Sequence, residues 1–151
     1  MRGLHGILIS LALICFLIIP SVALSTEWVL YTKSQFGAYY YDKKGIISTQ
    51  DKTKEVWVKI IYSKIGRRMA IKGRMARNLT TAGWGNLSHG INQHRLNCTK
   101  REWGLVSRAD YDLNGKVLHS TVFKKVKWRS IEPDSGEMVL FKKVCVKQKK
   151  K

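Results

Sequence analysis

Prolines, cysteines and acidic residues are all scarce in this chain. Its 151 residues include 2 prolines, 3 cysteines and 10 acidic side chains against 28 Lys and Arg, which gives a formal net charge of +18. The composition nevertheless excludes a disordered polycation, because 44% hydrophobic and 10% aromatic residues provide apolar surface whose burial offsets the entropy lost on folding. We therefore expect a single folded domain with a strongly basic surface.

The chain also lacks an apolar run long enough to cross a bilayer. The longest such run, from Ile7 to Ile19, falls short of the ~20 residues that a transmembrane helix needs. Arg2 precedes this run and the small residues Ala23 and Ser25 follow it, which is the pattern of a secretory signal peptide. We predict that residues 1–25 are a signal peptide, with cleavage after residue 23 as the alternative, and that no transmembrane segment is retained.

Removal of residues 1–25 would leave two cysteines, Cys98 and Cys145. Cys15 follows Ile14 inside the apolar run, so the small residue that precedes a lipid-modified cysteine is missing. We expect an exported chain that is periplasmic, extracellular or associated with the outer envelope. An isolated cysteine pair in an oxidising compartment favours a disulfide, and neither cysteine has a His or Cys at zinc spacing. We predict a Cys98–Cys145 disulfide, no metal site and no cofactor.

Several segments of the mature chain have the composition or alternation of β-strands. The clearest is 56–62, in which apolar residues recur at every second position. Asn114-Gly115 predicts a type I′ hairpin that pairs 102–111 with 116–123. The type of 63–90 stays open, because its apolar residues alternate as in a strand while five glycines interrupt it as in a loop. The predicted strands are 27–32, 38–42, 56–62, 91–98, 102–111, 116–123 and 126–131.

A helix is predicted at the C-terminal end of the domain. Asp134-Ser135-Gly136-Glu137 has the pattern of a capping box, with Asp134 as the capping residue. Met138, Phe141 and Cys145 share one face of this helix, so the disulfide would attach it to the strand that ends at the partner cysteine. We expect 147–151 to form a solvated basic tail. The predicted fold is α+β, a single antiparallel β-sheet of about six strands with a C-terminal α-helix packed on it and one disulfide.

The motifs of the mature chain occur in a characteristic order: Trp28, Tyr39-Tyr40-Tyr41-Asp42, Val56-Trp57-Val58-Lys59, Cys98, Tyr111-Asp112-Leu113-Asn114-Gly115-Lys116-Val117-Leu118, Trp128-Arg129-Ser130-Ile131-Glu132-Pro133-Asp134-Ser135 and Cys145. This order resembles the surface-adhesin protein E family over nearly all of 26–146. The resemblance implies the same sheet, helix and cysteine bridge, a bacterial secreted or envelope location, and a relative that binds host extracellular-matrix proteins. This chain departs from that relative, an outer-membrane lipoprotein, because it lacks a lipobox, and no binding motif carries over residue by residue.

The clearest candidate binding surface is a run of basic residues in the undecided segment. Such a density of positive charge attracts polyanions, so we consider lipopolysaccharide, acidic polysaccharide or nucleic acid as ligands. The alternative is a generally cationic surface without a specific ligand, and no recognised nucleic-acid-binding module surrounds the run. The run comprises Lys64, Arg67, Arg68, Lys72, Arg74 and Arg77.

The aromatic residues offer a second hypothesis. They could form a stacking platform for sugars or bases, although most are expected in the core. Trp84 is the exception, because the flanking glycines Gly83 and Gly85 give its ring fewer neighbours. Trp84 is therefore the candidate among these residues for an exposed ring that contacts a ligand. The full set is Trp28, Tyr31, Tyr39, Tyr40, Tyr41, Trp57, Trp84, Trp103 and Trp128.

The expected function is a non-enzymatic secreted or envelope binding protein, with adhesion to extracellular or matrix proteins implied by the resemblance. A polyanion-binding periplasmic protein is the alternative. A secreted hydrolase is a third class, which would require His94, His119 and a carboxylate such as Glu102 to meet in one cleft. The simpler interpretation is that these histidines, together with His89, are packed against other residues or exposed to solvent and have no catalytic role. An open edge strand would also offer a route to a homodimer.

Overall fold

The computed structural model of the chain describes residues 26–49 and 51–146, so the predicted signal peptide and basic tail lie outside the described residues. An α+β fold with a C-terminal helix is confirmed. The elements are β1 (Trp28–Ser34), β2 (Gly37–Asp42), β3 (Ile47–Ser48), β4 (Thr53–Tyr62), α1 (Lys64–Met75), a 3-10 helix (Trp84–Asn86), β5 (Leu87–Asn97), β6 (Glu102–Asp112), β7 (Val117–Val122), β8 (Arg129–Ser130) and α2 (Gly136–Cys145).

The strands form one open antiparallel sheet with the order β1-β2-β4-β5-β6-β7, and the short strands β3 and β8 pair with β4 and β6. This six-strand path confirms the predicted sheet. The predicted pairing of the hairpin strands is confirmed, because β6 pairs with β7 from Ser107↔Val122 to Tyr111↔Val117. The predicted turn type is wrong, because a type I′ turn needs positive φ at both central residues and Asn114 is not among the described residues with positive φ. Gly115 in its turn has φ 79°, a conformation that glycine adopts without steric cost. The predicted strand 126–131 is reduced to Arg129–Ser130.

Helix α2 packs on the sheet and forms the main core with it. Its buried side chains, Met138, Leu140, Phe141 and Val144, contact a cluster that includes Val56, Val58 and Leu96. The Cys98–Cys145 disulfide is confirmed, with a Cα–Cα distance of 5.5 Å. It joins the end of α2 to the chain just after β5, so the helix is fixed to the sheet by both packing and a covalent bond.

The capping residue of α2 differs from the prediction. Ser135, and not Asp134, caps the helix, because the Ser135 backbone is extended and its hydroxyl accepts a hydrogen bond from the Met138 amide at 3.1 Å. An N-cap needs this backbone conformation together with a side-chain acceptor within reach of the first-turn amides. The start of the helix is therefore correct, and its cap is one residue later than predicted.

Helix α1 occupies the segment whose type the sequence left open. Ser63 caps it, and the Ser63 hydroxyl accepts a hydrogen bond from the Gly66 amide at 3.0 Å. The apolar residues that alternate as in a strand do not form its buried face, since Met69 is 50% exposed and Met75 is 63% exposed. The buried positions are Gly66 and Arg74. Hydrophobic periodicity could not reveal this helix, because the face that packs inward is not apolar.

Both helices lie on the same side of the sheet. Side chains alternate along a strand, so Val58 and Tyr62 of β4 point to one side. Val58 contacts the core beneath α2, while Tyr62 hydrogen-bonds Asp110 beside the region that α1 covers. The alternate residues of each strand, such as Trp57 and Lys59 of β4, point to the opposite side of the sheet.

Candidate binding surfaces

The side of the sheet opposite the helices has no helix over it in the part of the chain that the structure describes. Strand pairing places Tyr40 opposite Lys59 and Lys59 opposite Ile91 on this side, and a shallow hollow there is lined by Trp28, Trp57, Ile91 and Tyr111. All of these side chains are half-buried. The open face is defined here as Trp28, Tyr40, Trp57, Ile91 and Tyr111. Its tryptophans and Tyr40 are aromatic residues that the sequence had favoured for the core.

The open face has charged groups of both signs, because Asp42 lines the same hollow as Trp28 and Trp57, while Lys59 lies opposite Tyr40 and Ile91. Lys59 Nζ lies 5.9 Å from the centre of the Trp28 ring, and the His89 ring stacks on Tyr111 at 4.9 Å between centroids. Partial burial, and secondarily the charge of Lys59, lowers the pKa of His89. The carboxylate of Glu55 is neutralised by Arg95, whose Nε donates to it at 2.8 Å. Lys59 lies among aromatic rings and belongs to none of the ion pairs found among the described residues.

The basic run of 64–77 divides into two sets with different roles. Lys64, Arg68 and Lys72 are exposed and follow one another at four-residue spacing, so they form a stripe along the outer side of α1. The other three donate through Nε to backbone carbonyl groups, which places them in the structure of the domain. Arg67 bonds Leu87 at 2.8 Å, Arg74 bonds Thr80 at 2.7 Å, and Arg77 bonds Gly73 at 2.9 Å.

The predicted exposure of Trp84 is wrong. Its side chain is only 2% exposed, and the guanidinium carbon of Arg74 lies 4.1 Å from the ring centre. The glycines beside it allow the chain to turn, since Gly83 has φ 78°, and the turn directs the ring inward beneath α1. Stacking of a guanidinium on tryptophan stabilises both groups when they are shielded from water. The flanking glycines indicated that few residues would contact the Trp84 ring. Arg74 covers it, however, and comes from α1, which lies earlier in the chain.

A hydrogen-bond network that the sequence did not predict lies near Trp84. Asp110 is fully buried and accepts hydrogen bonds from Arg108 Nε at 2.8 Å and from the Tyr62 hydroxyl at 3.2 Å. Burial, and next the negative charge of Asp110, raises the pKa of Tyr62 far above its usual value. The signal in the sequence was an Arg and an Asp two residues apart in a strand, which places opposite charges on one face.

The residues of the hydrolase hypothesis are not brought together. His94 of β5 lies opposite Leu105 of β6, whereas His119 of β7 lies opposite Asp110. Leu105 and Asp110 are five positions apart along β6, a distance of roughly 17 Å. His94 is buried and stacked on Trp103, and His119 hydrogen-bonds Thr121 at 3.0 Å. No group of three or more His, Cys, Asp or Glu suited to a metal ion occurs within 26–49 and 51–146.

The sequence profile of the surface-adhesin protein E family matches residues 28–146. The chain belongs to the surface-adhesin protein E family. A structure of Haemophilus influenzae protein E is similar to it, with 16% identity over 81% of this chain and 86% of that chain and a TM-score of 0.48. A selenomethionine form of the same protein has 13% identity over 81% and 92% of the two chains and a TM-score of 0.46. No curated protein matches the chain in sequence.

As a member of the surface-adhesin protein E family, the chain is an adhesin-like surface or secreted protein. Among the helices of the described residues, none has the length and apolar character needed to cross a membrane.

Proposed function

We propose that the protein is a non-enzymatic adhesin of the cell surface or envelope that contacts an extracellular protein through the open face. The observation that carries the proposal is the aromatic surface on the side of the sheet without a helix. Membership of the surface-adhesin protein E family supports an extracellular partner, with matrix proteins as the first class to test.

The chemistry of the open face suits a protein partner. Tyrosine and tryptophan are enriched at protein interfaces because one ring combines a large apolar area with a polar group at its edge. They also account for much of the binding energy where they are anchored in a partner's pocket. Lys59 beside Trp28 favours a partner with acidic residues around its apolar contact.

The test uses the mature chain 26–151 and immobilised laminin as the matrix protein. A double variant, Tyr40→Ala with Trp57→Ala, removes two rings of the open face. We expect affinity to fall at least ~10-fold, because loss of an aromatic anchor typically costs ~2 kcal/mol or more. The matched control is Met75→Ala with Leu113→Ala, which truncates two apolar side chains that are 63% and 66% exposed elsewhere on the surface.

Circular dichroism and thermal unfolding establish that both double variants are folded. Equal affinity of the folded open-face variant and the wild type would contradict the open face as the contact surface, and an equal loss in the control would do the same. If the wild-type chain failed to bind laminin at any salt concentration, laminin would be excluded as a partner and the matrix-protein proposal would be weakened.

A homodimer through an edge strand is a further proposal about assembly. The outer strands of the six-strand path are β1 and β7, and Val122 of β7 is 78% exposed. Unpaired edges present backbone groups that can pair with another chain. Sedimentation equilibrium across a concentration series should reveal a dimer, and Val122→Lys should shift it toward monomer. A constant monomer mass would contradict the proposal.

A further inference from the structure

A cleft of about 330 Å³ lies between α1 and the β6–β7 hairpin, on the side of the sheet opposite the open face. Its charged lining consists of the guanidinium groups of Arg74, Arg77 and Arg108 and the carboxylate of Asp110. Cavities of this size are at the lower end of those that hold small ligands, so one or two sugar rings would fill it.

The single carboxylate of the cleft is already neutralised. Arg108 donates to both oxygens of Asp110, at 2.8 and 3.1 Å. None of the ion pairs found among the described residues includes Arg74 or Arg77. Each of these two arginines bonds a backbone carbonyl through Nε only, so their terminal nitrogens have no protein partner in the described structure.

Arg74 is the most unusual of these cations. It is only 6% exposed, yet it has no carboxylate within ion-pair distance in the described part of the chain. Its position is fixed by Trp84 on one side and the Thr80 carbonyl on the other. A buried cation is costly unless an anion accompanies it, and a fixed guanidinium is well suited to bind a carboxylate or sulfate group.

The positive charge continues beyond the cleft. Phe123 lines the cleft and also a neighbouring groove, whose charged lining is Lys125, Lys127 and Arg129 with no acidic side chain. The cationic track is defined here as Arg74 and Arg77 in the cleft together with Lys125, Lys127 and Arg129 in the groove. It includes only two residues of the predicted basic run and leaves out the exposed stripe of α1.

We propose that the cationic track binds an acidic polysaccharide, with a sulfate or carboxylate of one sugar at Arg74 and Arg77 and those of neighbouring sugars along the groove. A linear polymer with an anionic group on each repeat fits a cleft that continues into a groove bordered by Lys125, Lys127 and Arg129. This assignment does not depend on adhesion through the open face.

The aromatic residues near the track favour a polysaccharide over a nucleic acid. Single-stranded nucleic acids bind by stacking their bases on exposed aromatic rings. The rings here are already stacked: Trp84 is covered by Arg74, and Trp103 contacts His94 at 5.1 Å and Arg129 at 5.9 Å. Phe123 is 39% exposed and is the single ring that joins the cleft to the groove. Sulfated or uronic sugars need only cations and hydrogen-bond donors, which the track supplies.

The test compares two triple variants that remove the same amount of positive charge from the mature chain. The track variant is Arg77→Gln, Lys125→Gln and Lys127→Gln. The control variant is Lys64→Gln, Arg68→Gln and Lys72→Gln, on the exposed stripe of α1. Arg74 is retained in both because it is buried against Trp84 and the Thr80 carbonyl, whereas Arg77 is exposed and its side chain bonds the carbonyl of Gly73 four residues earlier. Affinity for a size-defined heparin oligosaccharide is measured by calorimetry over a salt series.

We expect the track variant to lose at least ~10-fold in affinity and the control variant less than ~3-fold, with a shallower salt dependence for the track variant. Equal losses in the two variants would overturn the proposal in favour of diffuse attraction by net charge. Absence of heparin binding by the wild type would overturn it outright. Tighter binding of oligo-dT or of lipopolysaccharide than of heparin, with the same track dependence, would replace the polysaccharide by that ligand.

A blocking variant tests the cleft without changing charge. Gly73 lines the cleft, and a Cβ atom at this position would meet nothing within 4 Å. Gly73→Leu therefore places a side chain in the cleft and also replaces a poor helix former by a good one. Gly85→Leu is the matched control, since Gly85 is outside the cleft and equally open. Heparin affinity should fall at least ~5-fold in the first variant only, and an unchanged affinity would exclude the cleft as a binding site.

Discussion

His94 is a residue whose protonation the fold opposes. It is 6% exposed, it stacks on Trp103, and its Nδ1 has no hydrogen-bond partner in the described structure. Burial lowers its pKa from 6.5 to about 4. The unfolded chain therefore takes up a proton on His94 as the pH falls below 6.5, while the folded chain takes it up only near pH 4.

We predict that the free energy of unfolding falls between pH 6.5 and 4 through this residue. The expected loss is roughly 3 kcal/mol, since one unit of pKa difference corresponds to ~1.4 kcal/mol. His94→Leu removes the titration, so its stability should depend less on pH over the same window. Urea unfolding of wild type and variant across this pH range measures the difference. Parallel stability curves for the two proteins would show that His94 is protonated equally in both states.

Asp110 and Arg108 illustrate how a charge pair is held inside the sheet. We predict that Asp110→Asn lowers the free energy of unfolding by ~2–3 kcal/mol, because it leaves the guanidinium of Arg108 without its counter-charge. The effect should be smaller than for a fully buried pair, since the Arg108 side chain is 35% exposed.

Replacement of both partners provides the control for this prediction. A variant with Asp110→Leu and Arg108→Leu should be closer to wild type than Asp110→Asn, because neither charge is left alone. Chemical denaturation of all three proteins gives the comparison. Wild-type stability in Asp110→Asn would indicate that the Arg108 guanidinium turns to solvent once the carboxylate is neutralised.

Helix α1 depends on a close approach that only glycine permits. A Cβ atom at Gly66 would lie 1.9 Å from the Phe36 carbonyl oxygen, which is incompatible with any side chain. The helix therefore touches the turn between β1 and β2 through its backbone. Arg67 and Arg74 on its inward side bond backbone carbonyl groups, so polar contacts help to hold the helix on the domain.

Helix α2 depends on the disulfide as well as on its core. We predict that reduction of Cys98–Cys145 lowers the free energy of unfolding by about 4 kcal/mol, because the bond closes a loop with a sequence separation of 47 residues. Hydrogen exchange should then rise in α2 before it rises in β4 and β5. Reduction of a Cys98→Ser, Cys145→Ser variant is the control and should change nothing. Uniform exchange in both elements would contradict a local role for the bond.

The two sides of the whole molecule have different chemistry. The open face presents aromatic rings, while the helix-covered side presents the cationic track in and beside the cleft. We predict that the sites act independently: the Tyr40→Ala, Trp57→Ala variant should bind heparin as wild type does, and the track variant should keep its affinity for laminin. Pairwise binding measurements and a ternary pull-down of laminin with heparin check this. Competition between the ligands would place both on one surface.

The sequence by itself determined the sheet, the hairpin, the C-terminal helix and the disulfide. These features depend on local information: alternation along a strand, Asn-Gly in a turn, a capping sequence, and two cysteines in an oxidising context. Motif order also identified the family over residues 28–146. Local chemistry was sufficient for these predictions because strand alternation, a turn sequence and a capping sequence each depend on residues close together in the chain, and only two cysteines follow the predicted signal peptide.

The tertiary structure alone decided which surfaces are available for binding. Burial of Trp84 depends on Arg74, the network around Asp110 includes Tyr62, 48 residues away, and the open face exists because both helices pack on the other side. The basic run looked uniform in the sequence, yet half of it bonds backbone carbonyls. Exposure is set by contacts between distant segments, so composition and periodicity could not assign it.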